Sequence, residues 1–137
     1  RPNDRALAMV ISDPGLFELL SPLGFALAAS LEGVSVRIYF QAKAVRVLKK
    51  GFTPRARGWM RPLSRFPFKG LERAGHLHPQ EKLRQLRGRG AEFYACGPSM
   101  DHFKVGRDDL IFPDVKIAAY LTFMAVMAQS DIHVFVQ

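Results

Sequence analysis

Six apolar residues in a row, Ala6-Leu7-Ala8-Met9-Val10-Ile11, stop at Ser12-Asp13-Pro14-Gly15. An uninterrupted run of that length, closed by turn formers, suits a strand buried on both faces. Asp13 is placed to cap a helix with Pro14 at its first position, and Ser21-Pro22 repeats the signal. The pattern therefore predicts a short helix, then a second one running to about Leu31 and closing at Gly33. Gly24, Ala26, Ala28 and Ala29 keep that second helix thin enough to lie close against a sheet. Val34 to Phe40, β-branched and aromatic around one charge, is the second strand, and Gln41 to Lys50 reads as a helix ended by Gly51.

From Phe52 to Pro79 the periodicity fails, broken by Pro54, Pro62 and Pro67, and the chain is expected to make a basic insertion at about 52–79. Helical character returns over Gln80 to Arg89 and ends at Gly90; Ala91 to Cys96 is the third strand. Gly97-Pro98-Ser99 turns into a short helix reaching about Lys104. Val115 to Ala119 is a fourth strand, Leu121 to Gln129 an apolar helix and Ile132 to Val136 a fifth strand. This alternation predicts an α/β fold of three layers, α/β/α, around an open, mainly parallel five-stranded sheet, and 137 residues suit one domain. Ligands of such sheets lie beyond the C-terminal strand ends. Cys96 ends the third strand on that edge, and Asp13 and Gln41 follow the first two as weaker candidates, each also explained by turn or cap formation.

Charge changes the picture because it is unevenly spread. The net +8 conceals a stretch from Lys43 to Gly90 with 14 Lys/Arg against only Glu72 and Glu81, while the remainder is net acidic. One strongly basic face is expected, which attracts acidic proteins, anionic small molecules, nucleic acid or a membrane surface without choosing among them. Trp59-Met60-Arg61-Pro62-Leu63-Ser64-Arg65-Phe66-Pro67-Phe68-Lys69 interleaves aromatics with cations, and a lid or oligomer contact over the cysteine edge is the preferred role for it. Peripheral membrane contact fits that composition too, but no run approaches the length of a membrane span. Nucleic acid is disfavoured: no recognition motif is present, and no glycine-rich phosphate loop follows the first strand.

A single cysteine excludes an internal disulfide framework and fits a reducing, cytoplasmic setting. The chain opens on Arg1 and not on methionine, so that expectation rests on cysteine usage and hydropathy. A thiol between a strand end and a helix start sees unpaired backbone N–H groups, which favour the thiolate needed for sulfur transfer. Gly97 leaves space beside it, Ser99 supplies a hydroxyl donor, and His102, six residues on, adds a further donor. Against this stands the plain alternative that Cys96 is a small buried core residue. His76-x-His78 has tight ligand spacing but sits in the insertion, and neither a metal nor a cofactor is expected. Tyr120, Phe123, Met124 and Met127 recur at helical spacing and suit core or subunit packing.

The helix ending Ala28-Ala29-Ser30-Leu31-Glu32-Gly33, the strand Val34 to Phe40, and Phe93-Tyr94-Ala95-Cys96-Gly97-Pro98-Ser99-Met100-Asp101 together resemble the DsrE/DsrF-like family from about Ala6 to Phe135. The likeness is to its larger DsrE-type members, which carry an extra segment before the cysteine strand and a Ser-Met-Asp after it. Asp108-Asp109-Leu110-Ile111 and Ser130-Asp131-Ile132 also resemble that group. The resemblance implies an intracellular, sulfurtransferase-like persulfide carrier. Cys96 would take sulfur from a rhodanese-like or TusA-like donor protein and pass it to an acceptor, and the protein would be a homo-oligomer without a cofactor. Gly97-Pro98 is not the commonest pair after this cysteine, and the lack of a second cysteine excludes two-cysteine redox chemistry within the chain. The competing expectation, from a different class, is a non-catalytic binding or regulatory subunit that docks through the basic insertion onto a protein complex or a membrane surface.

Overall fold

The computed structural model describes residues 5–53 and 78–137. The stretch from Trp59 to Lys69, and His76 with it, therefore lie outside the described residues, as does most of the expected insertion.

The chain alternates β1 (Ala6–Ile11), α1 (Leu16–Leu31), β2 (Ser35–Phe40), a 3-10 helix (Ala42–Leu48), α2 (Pro79–Gly88), β3 (Glu92–Cys96), α3 (Gly97–His102), β4 (Lys116–Ala118), α4 (Tyr120–Ala128) and β5 (Ile132–Val136). All four strand pairings are parallel, in the order β4-β3-β2-β1-β5. Strands β1 to β4 are added in one direction across the sheet, and the last crossover returns over them to place β5 on the far side of β1. Right-handed crossovers running in opposite directions leave their helices on opposite faces. Hence, among the described residues, α1 and α2 share one face and α4 lies on the other.

β1 is buried at every position, as a central strand covered from both sides must be. Its register with β5 is closed at the far end by a reciprocal pair: the Ala6 N–H donates to Asp131 Oδ2 and the Asp131 N–H to the Ala6 carbonyl, both 2.9 Å. At the near end the Ser12 N–H reaches the Val136 carbonyl.

Two local expectations change. The break at Ser21-Pro22 does not occur: α1 runs unbroken through Pro22. An interior proline costs about 3 kcal/mol, but Leu19 and Leu23 on either side of it are buried with Leu16 and Ala26, and each buried leucine side chain contributes about 1.5–3 kcal/mol. Asp13 does not cap this helix, whose N-cap is Gly15; its Oδ1 accepts the Gly15 N–H at 2.8 Å and closes a turn instead. The second change is that the segment after β2 is a 3-10 helix and not an α-helix. Its buried residues, Ala44, Val45, Val47 and Leu48, form two pairs three residues apart, the spacing at which side chains eclipse with three residues per turn. Gln80 of α2 ties down its end by donating to the Val47 and Lys49 carbonyls at 2.9 and 2.6 Å.

Among the described residues no helix is long and apolar enough to cross a membrane. The two faces of the sheet differ in finish. Under α1 and α2 the sheet presents apolar residues, with Ile38, Phe40, Phe93 and Ala95 all buried. On the α4 face the sheet starts with a polar ladder across three strands: Arg37 Nε meets Glu92 Oε1 at 3.2 Å and Lys116 Nζ meets Glu92 Oε2 at 2.9 Å. Lys116, aided against partial burial by Arg37, holds the Glu92 carboxyl below its ordinary value. Beyond that ladder, toward the C-terminal strand ends, the same face carries Tyr39, Tyr94 and Cys96.

Candidate cysteine site

Cys96 is the last residue of β3 and the N-cap of α3, with φ −69° and ψ 117°. Pro98 in the first turn of the helix is compatible with helix entry because it needs no hydrogen-bond acceptor there. The first turn therefore presents the Ser99 N–H, and not one from residue 98, toward the cysteine.

The thiol is nearly enclosed, with Cys96 only 2% exposed. It nevertheless forms part of the wall of a cavity of about 290 Å³ whose other walls are Pro98, Ser99, His102, Phe103, Ala119 and Tyr120. Among the described residues, this cavity offers an approach to the sulfur. Three parts of the chain build it: the start of α3 supplies Cys96, Pro98 and Ser99, its end supplies His102 and Phe103, and the β4–α4 junction supplies Ala119 and Tyr120.

Two hydroxyls serve the sulfur. The Ser99 Oγ accepts the Ala42 N–H at 2.9 Å, which leaves its own proton to donate. Ala42 sits in the left-handed region at φ 51°, a conformation that costs a non-glycine residue about 1–3 kcal/mol, and this bond helps to hold it there. The Tyr39 hydroxyl donates to the Ala118 carbonyl at 3.3 Å, and it also lies within reach of Cys96. Burial pushes the thiol up, but hydrogen bonds from the Ser99 hydroxyl, the Tyr39 hydroxyl and the Ser99 N–H outweigh it, and Cys96 lies below the usual thiol value. No side-chain hydrogen bond caps α3. Tyr39 itself is pushed far above the ordinary tyrosine value by burial, and further by its hydrogen bond to Cys96 and the negative charge there. It stays protonated and remains a donor.

Tyr39 is fixed from above by α4. Phe123 stacks on its ring at 4.9 Å and meets Tyr94 edge-on at 5.2 Å, while Tyr120 meets Tyr39 at 6.4 Å. His102 packs edge-on against Phe103 at 4.7 Å.

Of the residues singled out from sequence, Cys96, Ser99 and His102 come together on this cavity. Gly97 is not among its walls; a Cβ there would meet Ile117 at an ordinary 3.5 Å. Asp13 and Gln41 reach the same sheet edge but are occupied locally. Asp13 closes its turn, and Gln41 Nε2 donates to Ser12 Oγ at 2.9 Å. Neither lines the cysteine cavity. Sequence reasoning missed Tyr39, Phe103 and Tyr120. Tyr39 was discoverable by parity, since it pairs with Tyr94, two residues before the cysteine, and so shares its face. Tyr120 appeared in the helical stripe but without any link to the cysteine. Among the described residues, no three His, Cys, Asp or Glu side chains gather where they could hold a metal ion.

Comparison with known proteins places this arrangement. The model of the DsrE/DsrF-like family matches residues 6–135. Three solved structures share the fold. The ychN protein of E. coli is 15% identical with a TM-score of 0.65, and the match covers 96% of this chain and 98% of that one. MTH1491 of Methanobacterium thermoautotrophicum, a protein of unknown function, is 17% identical with a TM-score of 0.65, covering 96% and 99%. BT1422 of Bacteroides thetaiotaomicron, also of unknown function, is 9% identical with a TM-score of 0.66, covering 97% and 96%. No curated protein sequence matches the chain.

Proposed function

The chain belongs to the DsrE/DsrF-like family, and from that premise we propose that it is a cytoplasmic sulfur-relay protein that carries persulfide sulfur on Cys96. The observation that carries this is the placement of one thiol, held below its usual value by Ser99 and Tyr39, on the wall of a cavity at the C-terminal sheet edge.

The chemistry is a balanced exchange. The Cys96 thiolate attacks the outer sulfur of a donor persulfide, R–S–SH. The donor S–S bond breaks as the new one forms at Cys96, R–S⁻ departs with the electron pair, and the proton stays on the transferred sulfur. Nothing is oxidised or reduced overall, so one cysteine suffices. In the second step an acceptor thiolate attacks the outer sulfur of the Cys96 persulfide, the S–S bond breaks, and Cys96 leaves as the thiolate with the electron pair. Ser99 and Tyr39 hold the attacking anion and later the departing one. A persulfide adds only one atom, which the cavity accommodates, and the donor is a persulfide-bearing protein of rhodanese-like or TusA-like type.

Intact-mass measurement after incubation with a persulfide donor tests this. The native chain should gain one sulfur atom, reversibly on reduction, and Cys96→Ser should gain none. Burial of Cys96 favours one rival reading, that of a core cysteine in a non-catalytic docking subunit. No gain, together with a thiol that resists alkylation in the folded protein, would establish that reading instead.

We further propose that the carrier is a homo-oligomer. The outer side of α4 and the β5 edge expose Tyr120, Leu121, Met124 and Phe135, with Leu121 84% exposed, an apolar surface that isolated chains seldom leave uncovered. Leu121→Glu is expected to lower the assembly to a smaller species in light scattering coupled to size exclusion; an unchanged mass would place the contact elsewhere.

A further inference from the structure

A second cavity, also about 290 Å³, shares one wall residue with the first. It is lined by Arg46, Lys49, Lys50, Gly51 and Phe52, and by Phe103, which also faces Cys96's cavity. The two differ in charge. Among the described residues, the cysteine cavity has no Lys, Arg, Asp or Glu on its walls, whereas its neighbour has three cationic side chains and no carboxylate. Among the described residues those cations are not spent on ion pairs. The Lys50 ammonium donates to the Asp108 backbone carbonyl at 3.0 Å, which leaves its charge intact. The Arg46 guanidinium lies over the Phe103 ring at 5.0 Å from its centroid, so its position is set by the very residue that divides the cavities. Among the described residues, no carboxylate pairs with Arg46, Lys49 or Lys50.

Resting on the sulfur-relay reading above, we propose that the basic cavity is a subsite for carboxylates beside the persulfide of the donor, so that the donor class is an acidic peptide segment bearing a persulfidated cysteine. The cysteine cavity receives the sulfur, and Phe103 separates it from the carboxylates. A free carboxylate is drawn to the wall that carries Arg46, Lys49 and Lys50 and not to the cysteine cavity, whose described walls hold no Lys or Arg, which fixes the direction in which the donor segment lies. Charge pairing of this kind acts chiefly on encounter and register, leaving the exchange step to Cys96.

Two short synthetic peptides test it, each with one persulfidated cysteine, flanked by glutamates in one and by glutamines in the other. The acidic peptide should load native Cys96 about tenfold faster at low ionic strength, a gap that closes as salt is added. Lys49→Glu should abolish the gap. Arg84→Glu, the same charge reversal on the exposed face of α2, should preserve it. Equal loading by both peptides, or a gap that survives Lys49→Glu, overturns the subsite. Binding of the acidic peptide with serine in place of its cysteine, followed by fluorescence anisotropy, separates the two ideas. Absent loading with Lys49-dependent binding would defeat the relay reading and keep the subsite, while binding indifferent to Lys49→Glu would defeat the subsite.

Discussion

Phe123→Ala is expected to destabilise the protein by about 3–5 kcal/mol, the range for emptying a large aromatic from a packed core, and to disorganise the cysteine cavity along with it. Phe123 is 2% exposed and is the one residue of α4 that is fully buried. The other face of the sheet distributes its packing over α1, α2 and the 3-10 helix, and can lose one side chain without losing its cover. The α4 face has no such reserve: Phe123 joins Tyr39 and Tyr94 in one aromatic group, and α4 begins with Tyr120 in the cavity wall. Chemical denaturation should report the loss of stability. Alkylation of Cys96 under native conditions should quicken at the same time, because a loosened α4 uncovers the thiol. Phe123→Leu should cost much less in both readouts. A destabilisation below about 1 kcal/mol would mean that α4 is held by contacts other than this cluster.

Ser99→Ala should slow the reaction of Cys96 with a neutral alkylating reagent about tenfold at neutral pH, since a hydrogen bond to a charged group is worth about 1.5–3 kcal/mol. The sign follows from the thiolate. Ser99 lowers the thiol's value by hydrogen bonding to the anion, so its removal leaves burial less opposed and raises that value. The rate at any pH below the shifted value falls with the thiolate fraction, and the native and variant curves converge once both thiols are ionised. A purely structural role would lower the rate at every pH alike. Ser99→Thr, which restores the hydroxyl, should recover most of the native profile. Tyr39→Phe should shift the profile in the same direction by less, because Tyr39 has a second acceptor in the Ala118 carbonyl and its ring remains stacked on Phe123. The Ala42 N–H loses its acceptor in Ser99→Ala, but it lies where water can replace the hydroxyl, so global stability should change little.

The central strand was legible because its composition follows directly from burial: β1 is apolar and buried at every position, and a run of that length is too short for a helix. The position of Cys96 at a strand end was legible for the same reason. What stayed hidden depends on partners distant in sequence. Nothing near Ser21-Pro22 announces that Leu19 and Leu23 will be buried together and carry α1 through the proline. Nothing local to Tyr39 places it beneath Phe123, 84 positions away. The choice between α and 3-10 geometry over Ala42–Leu48 was in principle visible, in apolar pairs three residues apart, but the same pairs also fit one face of an α-helix. The separation of the sulfur cavity from the cationic one is a tertiary fact: Phe103 and Arg46 come from different crossovers and meet only in the folded chain.

The pairing of β1 with β5 brings together residues as far apart as Ala6 and Asp131, the longest loop that any strand pairing in this sheet must close. Closing long loops delays contacts more than it weakens them. The return crossover is therefore the natural last step of assembly and the first to reverse when the molecule opens partially. Since that crossover carries α4, the half-formed protein already has β3 and its terminal cysteine but lacks the roof that encloses the sulfur. Exposure of the thiol to oxidants and to unselected partners is then governed by the free energy of undocking one helix and one edge strand, and not by the stability of the whole fold.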